Sequence, residues 1–478
     1  MLETVKEINN ICNIPAVIII LGVGLFLTIR MKFVQIRKFG FAMKETAGKF
    51  FSKKTVEKGA MTPFQALCTA LAATIGTGNV AGVAGAIALG GPGAVFWMWI
   101  SAVFGMCTKF TEVTLAVRFR ERNSKGDWVG GPMYYIKNGL GKKWMWLAYL
   151  FCAFGSLCVF GTGNATQVNT IVTSINSALS NFNIIPEGGT FTLNLIFGIV
   201  IAVLVAVVLL GGIKRLGAVT ETLVPFMSIV YILLGLGVVV VNIKAVPSVF
   251  SQIFTGAFNP KAVTGGMIGS VITSMSKGVS RGIFSNEAGL GTAPIAHSTT
   301  STKDPVQQGL FGIFEVFVSS IIICTLTAMT ILCSGIAVNY GSEAGAELTI
   351  NGLVSTYGGW VSVVSAVALC CFAFSTVLGW GLYGTRCIEF LFGSRFNKPF
   401  LFVYSAVAVL GATLKLDVIW GVSDIINCFM SVPNLIAVAM LSPVALKLVK
   451  EYFERQKHGM SGDDPSSQIC DRTPAGKA

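Results

Sequence analysis

The 478-residue sequence has few charged residues, few histidines and no spacing typical of a metal or nucleotide site. Only 12% of its residues are Asp, Glu, Lys or Arg and 53% are hydrophobic, whereas soluble proteins carry about 25% charged residues. The two histidines, His297 and His458, and the twelve scattered cysteines form no metal-ligand or disulfide pattern. The phosphate-binding sequence GxxxxGKS/T does not occur. The shortage of charge excludes a soluble protein of this length, and the missing motifs argue against a membrane enzyme and against ATP-driven transport.

What the sequence has instead is a series of long apolar runs. Eleven of them reach the ~20 residues that a bilayer-spanning helix needs, which predicts an all-α polytopic membrane protein. A basic segment separates the first run from the second, so we interpret the first as an accessory helix ahead of a ten-helix core. The runs lie near residues 14–32, 62–88, 92–118, 144–175, 191–210, 216–242, 262–290, 308–335, 361–392, 399–415 and 419–448. The chain then divides into an accessory helix with a basic linker, a core, and a tail that we expect to be cytoplasmic and disordered: 1–60, 61–450 and 451–478.

Lysine and arginine are unevenly distributed over the loops, and this asymmetry predicts the orientation of the chain. One side holds RFRERNSK (118–125), Lys214-Arg215, Lys303, Arg395, Lys398 and the tail sequence KLVKEYFERQK, whereas the other keeps only Lys6, Lys244, Lys261 and Lys415. We therefore expect the N-terminus outside and the C-terminus inside a bacterial-type cytoplasmic membrane. The net charge of +13 is then a topology signal with some attraction to anionic lipid, and we expect no nucleic-acid partner.

The second apolar run contains an interruption. Between Thr69 and Ala88 the sequence is apolar, yet its middle reads IGTGN (75–79), and glycine, threonine and asparagine are poor helix formers. At membrane depth such a break is tolerated only where it is buried in protein or lines a cavity. It also frees backbone N–H and C=O groups that a substrate or an ion can satisfy. The alternative is a glycine-rich helix that merely packs closely against its neighbours.

A second interruption, KGVSRGIFSNEAGLGTAPIAHS from Lys277 to Ser298, falls in the seventh run. The two breaks therefore lie in core helices one and six, the spacing expected of two inverted five-helix repeats. Paired breaks in matching positions of two halves indicate the binding site of a transporter. Half-helix N-termini would hold a carboxylate, whereas unwound carbonyls and hydroxyl groups would hold a cation. An amino acid together with a sodium ion satisfies both needs.

Three stretches carry a resemblance to a known family. TIGTGNVAGVAGAIALGGPGAVFWMW, GGPMYYI and SRGIFSNEAGLGTAPIAHS strongly resemble the alanine/glycine:cation symporter family, over roughly residues 60–450. The resemblance implies a leucine-transporter-like fold, with ten core helices in two inverted repeats and one extra N-terminal helix. It also implies sodium-coupled uptake of alanine or glycine by alternating access, with sodium as the coupling ion and no other cofactor.

The resemblance also implies two adjacent sites. The substrate carboxylate would bind backbone amides of the first break, at Thr77, Gly78 and Asn79. Gln167 of core helix three would face the substrate ammonium. Core helices six and eight would form the walls of the pocket, with Gly282, Ile283, Phe284 and Trp380. Sodium would be bound by three carbonyls and two hydroxyl groups from core helices one and eight: Ala72, Ile75, Phe372, Ser375 and Thr376. For the hydroxyls, ordinary hydrogen bonding to their own helix is the alternative, and for Gln167 and Trp380 it is packing.

Charged residues at membrane depth are costly and usually functional. Arg281 and Glu287 lie in or beside the second break, where they could form a gate, cap freed helix ends or pair near the interface, and the sequence leaves these roles open. The full set of candidates is Glu112, Lys277, Arg281, Glu287, Glu315, Asp417 and Asp424.

Alternatives for the ion and the substrate also stay open. Some relatives of the fold replace sodium by a lysine from core helix five, but that helix, VTETLVPFMSIVYILLGLG (219–237), has no lysine, which favours sodium. Proteins similar to this family are linked to glutamine as well as to alanine and glycine, so a sodium-coupled glutamine transporter is the alternative. A channel would not need two matching breaks, which argues against that class of protein. The sequence does not indicate an oligomeric state.

Overall fold

The computed structural model is almost entirely helical and describes residues 2–48, 57, 59–181, 190–414 and 417–458. Its first half contains α1 (Leu2–Arg30), α2 (Val34–Arg37), α3 (Phe39–Gly48), α4 (Pro63–Thr74), α5 (Gly78–Gly90), α6 (Ala94–Arg118), α7 (Pro132–Tyr135), α8 (Met145–Phe160), α9 (Thr166–Asn181), α10 (Phe191–Leu210) and α11 (Gly212–Val241). The second half contains α12 (Val246–Phe258), α13 (Pro260–Val263), α14 (Val271–Asn286), α15 (Ala293–His297), α16 (Pro305–Val316), α17 (Thr325–Cys333), α18 (Ala346–Tyr357), α19 (Val361–Phe392), α20 (Asn397–Thr413) and α21 (Asp417–Lys457). Lys415 and the predicted tail from residue 459 onward lie outside the described residues.

The predicted spans coincide with helices of this bundle. Within the described residues, eight helices are long and apolar enough to cross a membrane, or nine if the bent pair α4–α5 is one span. The two further predicted spans correspond to α1, whose apolar part Ile14–Arg30 is shorter, and to the interrupted pair α14–α15. Wide π-helical turns, Gly161–Ala165 and Phe317–Cys324, join α8 to α9 and α16 to α17. The chain is thus a polytopic α-helical membrane protein, as its hydropathy predicts.

The first break has a defined start, bend and close contacts. α4 begins with a capping box, in which the Thr62 hydroxyl accepts from the Gln65 amide at 3.0 Å and the Thr62 amide donates to the Gln65 side chain at 3.1 Å. It ends before Ile75, whose backbone is extended, and α5 continues at an angle of 51°. A Cβ atom on Gly76 would lie 2.4 Å from Thr376 Oγ1, and one on Gly78 would lie 2.8 Å from the Phe284 ring. Glycine is therefore required at both positions because neighbouring side chains approach the backbone closely.

The second break is closed by polar side chains from other helices. α14 ends at Asn286, the following Glu287 has a left-handed backbone with φ of +53°, and Gly289 has φ of +90°. The Gly289 amide donates to Glu112 Oε1 at 3.1 Å, and the Asn434 side chain donates to the Gly289 carbonyl at 2.8 Å. Asn434 also donates to Glu112 and accepts from the Tyr135 hydroxyl. The freed backbone groups of Gly289 are thus satisfied inside the protein.

Side chains at the two breaks also join them to each other. The Asn79 amide group donates to Ser285 Oγ at 3.1 Å and to the Ser319 carbonyl at 3.0 Å. α19 packs against α4, α8 and α9 on the other side, so its middle faces the first break. The bundle therefore brings α4–α5, α14–α15 and α19 together at its centre.

A short hairpin fastens one end of this arrangement. Strands β1 (Glu121–Arg122) and β2 (Trp128–Val129) pair antiparallel, with Glu121 opposite Val129. The Trp128 amide donates to the Gly59 carbonyl at 3.0 Å, just before α4. The segment before α4 also pairs with the segment that follows α15, because the Met61 amide donates to the Thr299 carbonyl at 2.8 Å. The entrance to the first broken helix and the exit of the second are thus held together.

Arg120 is the main side-chain contact of this assembly. Its guanidinium donates to three carbonyls after α15, those of Ser298, Thr300 and Thr302, at 3.1, 2.5 and 2.8 Å. It also lies 4.1 Å from the centre of the Trp128 ring. Hydrogen bonds to a charged group contribute about 1.5–3 kcal/mol, so Arg120 stabilises this end of the bundle.

Replacing Arg120 by alanine is expected to lower the thermal unfolding temperature of the purified protein because three carbonyls lose a charged donor. Arg122→Ala is the matched control: Arg122 stacks on the same Trp128 ring at 4.4 Å, but its ion pair with Glu57 is solvent-exposed and such pairs are worth about 0–1 kcal/mol. Thermal unfolding of both variants in the same detergent measures the difference. Equal losses of stability in the two variants would contradict the role of the Arg120 contacts.

Candidate functional site

A small cavity lined by residues of both breaks lies at the centre of the bundle. It is lined by both interrupted pairs, the turn between α8 and α9, and the middle of α19. Its free space is about 10 Å³, about enough for one ordered water molecule, so a ligand has to be small or has to displace the walls. The lining residues are Ala73, Thr74, Gly76, Thr77, Gly78, Thr162, Gln167, Phe284, Glu287, Leu290, Thr376 and Trp380.

The first break presents the start of α5 to this cavity. Thr77 and Gly78 both line it, and their amides belong to the first turn of α5, where N–H groups have no intrahelical acceptor. This end of the helix also carries the positive end of the helix dipole. The geometry therefore offers a place for an anionic group.

Gln167 lies on the wall next to Thr77. The Thr77 hydroxyl donates to Gln167 Oε1 at 3.1 Å, and the Gln167 amide group donates to the Thr162 carbonyl at 3.0 Å. The Gln167 side chain is 2% exposed. The structure thus brings core helix three and the first break together, and these hydrogen bonds hold the Gln167 amide in one orientation, while its role toward a substrate stays a prediction.

Asn79 lies near the break but does not line the cavity. Its side-chain oxygen accepts from the Gly76 amide at 3.1 Å, its side-chain nitrogen donates to the second break, and its own amide donates to the Gly76 carbonyl at 3.2 Å. Asn79 therefore closes the turn between α4 and α5. The structure places it behind the predicted carboxylate position.

Of the three residues predicted as a wall in core helix six, the structure brings one to the cavity. Phe284 lines it beside Gly78. Gly282 faces Met98 and Ser101 of α6, and Ile283 packs in an apolar cluster with residues of α1. The difference follows from the helix period, because consecutive residues of a helix point in different directions.

Trp380 lines the cavity and is joined to a carboxylate that the sequence left without an assigned role. The indole N–H donates to Glu287 Oε1 at 3.0 Å, and the Thr292 hydroxyl donates to Glu287 Oε2 at 2.7 Å. Glu287 is 3% exposed and, among the described residues that line this cavity, it is the one with an ionisable side chain. Its place within the second break was the available sequence signal, but sequence alone did not show which way its side chain points.

The predicted sodium ligands largely converge between α4 and α19. The Ser375 hydroxyl donates to the carbonyls of Ala72 and Phe372 at 3.2 and 2.8 Å. The Thr376 hydroxyl donates to the same two carbonyls at 3.1 and 3.0 Å. Ile75 is fully buried at the bend. Two hydroxyl oxygens thus each lie within hydrogen-bond distance of the same two carbonyl oxygens, and uncharged oxygens of this kind bind Na⁺ in discontinuous helices.

A buried ion-pair network lies behind the cavity. Glu315 Oε1 is 3.3 Å from Lys109 Nζ and accepts from the Thr74 hydroxyl at 2.7 Å. Glu315 Oε2 is hydrogen-bonded to His297 Nε2 at 2.9 Å, and His297 Nδ1 to the Gln308 amide group at 2.9 Å. Because Thr74 also lines the cavity, this network fixes the end of α4.

Two interrupted helices that meet at a central cavity define a class, the secondary transporters built on discontinuous helices. Among solved structures, the chain resembles that of MhsT in complex with L-phenylalanine. The TM-score is 0.58 with 11% sequence identity, over 82% of this chain and 99% of that one. This likeness shows the leucine-transporter fold.

Comparison with sequence families gives the particular family. The profile of the sodium:alanine symporter family matches residues 1–466. The sodium/alanine symporter AgcS of Methanococcus maripaludis is 40% identical, over 92% of this chain and 94% of that protein. The probable sodium/glutamine symporter GlnT of Bacillus subtilis is 36% identical, over 94% of this chain and 89% of that protein. The chain belongs to the sodium:alanine symporter family, a family of sodium-coupled amino-acid transporters, which confirms the resemblance seen in the sequence.

Proposed function

We propose that this protein imports alanine or glycine together with sodium by alternating access. The observation that carries the proposal is the central cavity, which is lined by the first turn of α5, by the buried carboxylate of Glu287 and by Thr376, one member of the cluster of neutral oxygens. Residues 61–450 form the transporting core in this proposal. The hairpin end of the bundle faces the cytoplasm, because lysine and arginine are concentrated in its loops.

In this proposal the amides of Thr77 and Gly78 hold the substrate carboxylate. A carboxylate at the start of α5 would receive N–H groups that have no intrahelical acceptor and would meet the positive end of the helix dipole. Gln167 orients the Thr77 hydroxyl and stays beside the substrate. Asn79 supports the turn from behind.

Glu287 holds the substrate ammonium. A zwitterion in a buried cavity needs an anionic partner for its cationic end, because an unpaired buried charge is costly. Glu287 supplies the one carboxylate in the lining, and its two hydrogen-bond donors, Trp380 and Thr292, are neutral. The substrate is therefore bound at both ends, by amides on one helix and by a carboxylate on another.

Sodium binds at Ala72, Ile75, Phe372, Ser375 and Thr376. In this proposal the carbonyls and hydroxyls that now bond to one another turn their oxygens toward the ion. Thr376 also lines the substrate cavity and lies against Gly76 of the first break. Because Thr376 belongs to both sites, bound sodium would stabilise the conformation that binds the amino acid, and the bound amino acid would stabilise the sodium site to the same extent.

The walls of the cavity favour a short side chain. Phe284, Leu290 and Trp380 are bulky lining residues, and the free space is about 10 Å³. Glutamine is the second candidate because one relative bears the name of a probable sodium/glutamine symporter. Its longer side chain would require these walls to move further than alanine does.

Uptake into proteoliposomes tests the proposed function. An inward sodium gradient should drive accumulation of labelled alanine, excess glycine should block it, and replacement of sodium by potassium should abolish it. Glutamine accumulation without alanine uptake would contradict the proposed substrate. Uptake that follows a proton gradient and ignores sodium would contradict the proposed ion.

Thr376→Val is expected to weaken sodium binding about tenfold or more, because it removes one oxygen ligand while keeping the side-chain volume. Thr376→Ser keeps the hydroxyl and should retain most of the sodium affinity. The measurement is the sodium concentration that gives half-maximal alanine binding to the purified protein. An unchanged sodium requirement in the valine variant would remove Thr376 from the ion site.

Glu287→Gln is expected to weaken alanine binding roughly ten- to a hundredfold, because an ammonium ion loses its charged acceptor. Glutamine preserves the shape and can still accept from the Trp380 indole. Competition against labelled glycine by alanine and by lactate, which carries a hydroxyl in place of the ammonium, measures the selectivity. The affinity for alanine divided by the affinity for lactate should be lower in the variant than in the parent protein.

An equal fall in the affinities for alanine and lactate would show that Glu287 only maintains the shape of the site. That result would contradict the role of Glu287 but not sodium-coupled alanine uptake, which the proteoliposome experiment tests separately.

A further inference from the structure

A second pocket lies at the hairpin end of the bundle, about 130 Å³ in size. It is enclosed by the β1–β2 turn, the junction of α10 and α11, the second half of α19 and the start of α20. Its polar wall contains three cations, Lys125, Arg386 and Lys398, and one carboxylate, Asp127. Its other wall is formed by leucine and isoleucine side chains. The pocket is therefore amphiphilic, with an excess of positive charge.

Two residues that line this pocket each have a buried polar atom with no hydrogen-bond partner in the described part of the chain. The two atoms are Nε of Arg386, a residue that is 4% exposed, and Oδ1 of Asn397, which is 8% exposed. The rest of the Arg386 guanidinium is engaged, with Glu389 at 2.5 Å and Asp127 at 3.8 Å. A buried donor or acceptor left unsatisfied costs about 1–3 kcal/mol. Two residues of the pocket wall thus carry unsatisfied buried polar atoms, a charged donor and an amide acceptor, whose needs match a ligand with both an anionic oxygen and a hydroxyl.

The apolar wall continues into the surface that faces lipid. α10 exposes a row of apolar side chains that includes Val203 and Val207 and ends at Leu210, itself 42% exposed. Leu209 and Leu210 also line the pocket. An acyl chain lying along α10 would therefore reach the pocket with its headgroup first.

We propose that this pocket binds the headgroup of an anionic glycerophospholipid, with phosphatidylglycerol as the best chemical match. Its phosphate would accept from Arg386 and from the two lysines, because guanidinium and ammonium groups form strong charge-assisted bonds with phosphate oxygens. A glycerol hydroxyl would donate to Asn397 Oδ1. Basic pockets between helices at the cytoplasmic side of a membrane are suited to anionic headgroups.

The position of the pocket gives the bound lipid a structural consequence. The hairpin is already tied to α19, since the Asn123 side chain donates to Glu389 Oε1 at 2.8 Å. A phosphate shared by Lys125, Arg386 and Lys398 would join the hairpin, α19 and α20 in one contact. The lipid is therefore expected to stabilise the protein against thermal unfolding.

The test uses the full-length protein, delipidated in detergent, with thermal unfolding and native mass spectrometry as readouts. The lipids are phosphatidylglycerol and phosphatidylcholine, and glycerol phosphate serves as the headgroup without acyl chains. Lys125→Gln/Lys398→Gln removes two cations of the pocket. Lys142→Gln/Lys143→Gln is the matched control, because it removes two exposed charges between α7 and α8 that do not line the pocket.

Phosphatidylglycerol should raise the unfolding temperature of the parent protein more than phosphatidylcholine does. The pocket variant should bind it roughly 25-fold more weakly, counting about fivefold for each lysine near an anionic headgroup, while the control keeps the parent affinity. Equal effects of the two lipids, or equal weakening in the two double variants, would overturn the proposal. Stabilisation by glycerol phosphate as large as that by the lipid would show a site for a free anion instead.

Discussion

The structure depends on one constraint: backbone N–H and C=O groups freed inside a membrane protein have to find partners. The two breaks meet this constraint differently. At the second break, Glu112 and Asn434 bond the freed groups of Gly289. At the first break, Asn79 bonds the Gly76 amide, while the first turn of α5 at Thr77 and Gly78 faces the cavity. The first break is therefore the one whose helix start lines the cavity.

Three buried carboxylates near the centre occupy three different environments. Glu112 closes the second break, and Glu315 is paired with Lys109 and hydrogen-bonded to Thr74 and His297. Glu287 faces the cavity with neutral donors on both oxygens. Because the first two are already committed to the fold, Glu287 is the carboxylate with which a cationic ligand group can pair. This division separates the groups that hold the helices together from those that can recognise a substrate.

The sequence predicted a large part of the fold, and several of the residues it offered as site candidates lie together in the structure, where their roles stay predictions. Apolar runs of bilayer length matched the helices because hydropathy and span length are local properties of the chain. Clusters of glycine and polar residues predicted the positions of both breaks, because helix propensity is also a local property of the chain. The predicted ion ligands on core helices one and eight converge through Ser375 and Thr376, where the resemblance to a family supplied the long-range pairing. The family itself was identified from three stretches and confirmed over residues 1–466.

Hydropathy and residue type, which need no partner, determined by themselves that this is a polytopic helical protein with two interrupted helices. Only the tertiary structure decided which side chains reach the cavity. Asn79, Gly282 and Ile283 lie within two residues of a lining residue in the sequence but face other parts of the protein, because rotation about a helix axis is set by packing. Glu287 became a candidate ligand only when the bend of the second break turned it toward Trp380 of a distant helix. Such contacts join segments far apart in the chain, and no local pattern encodes them.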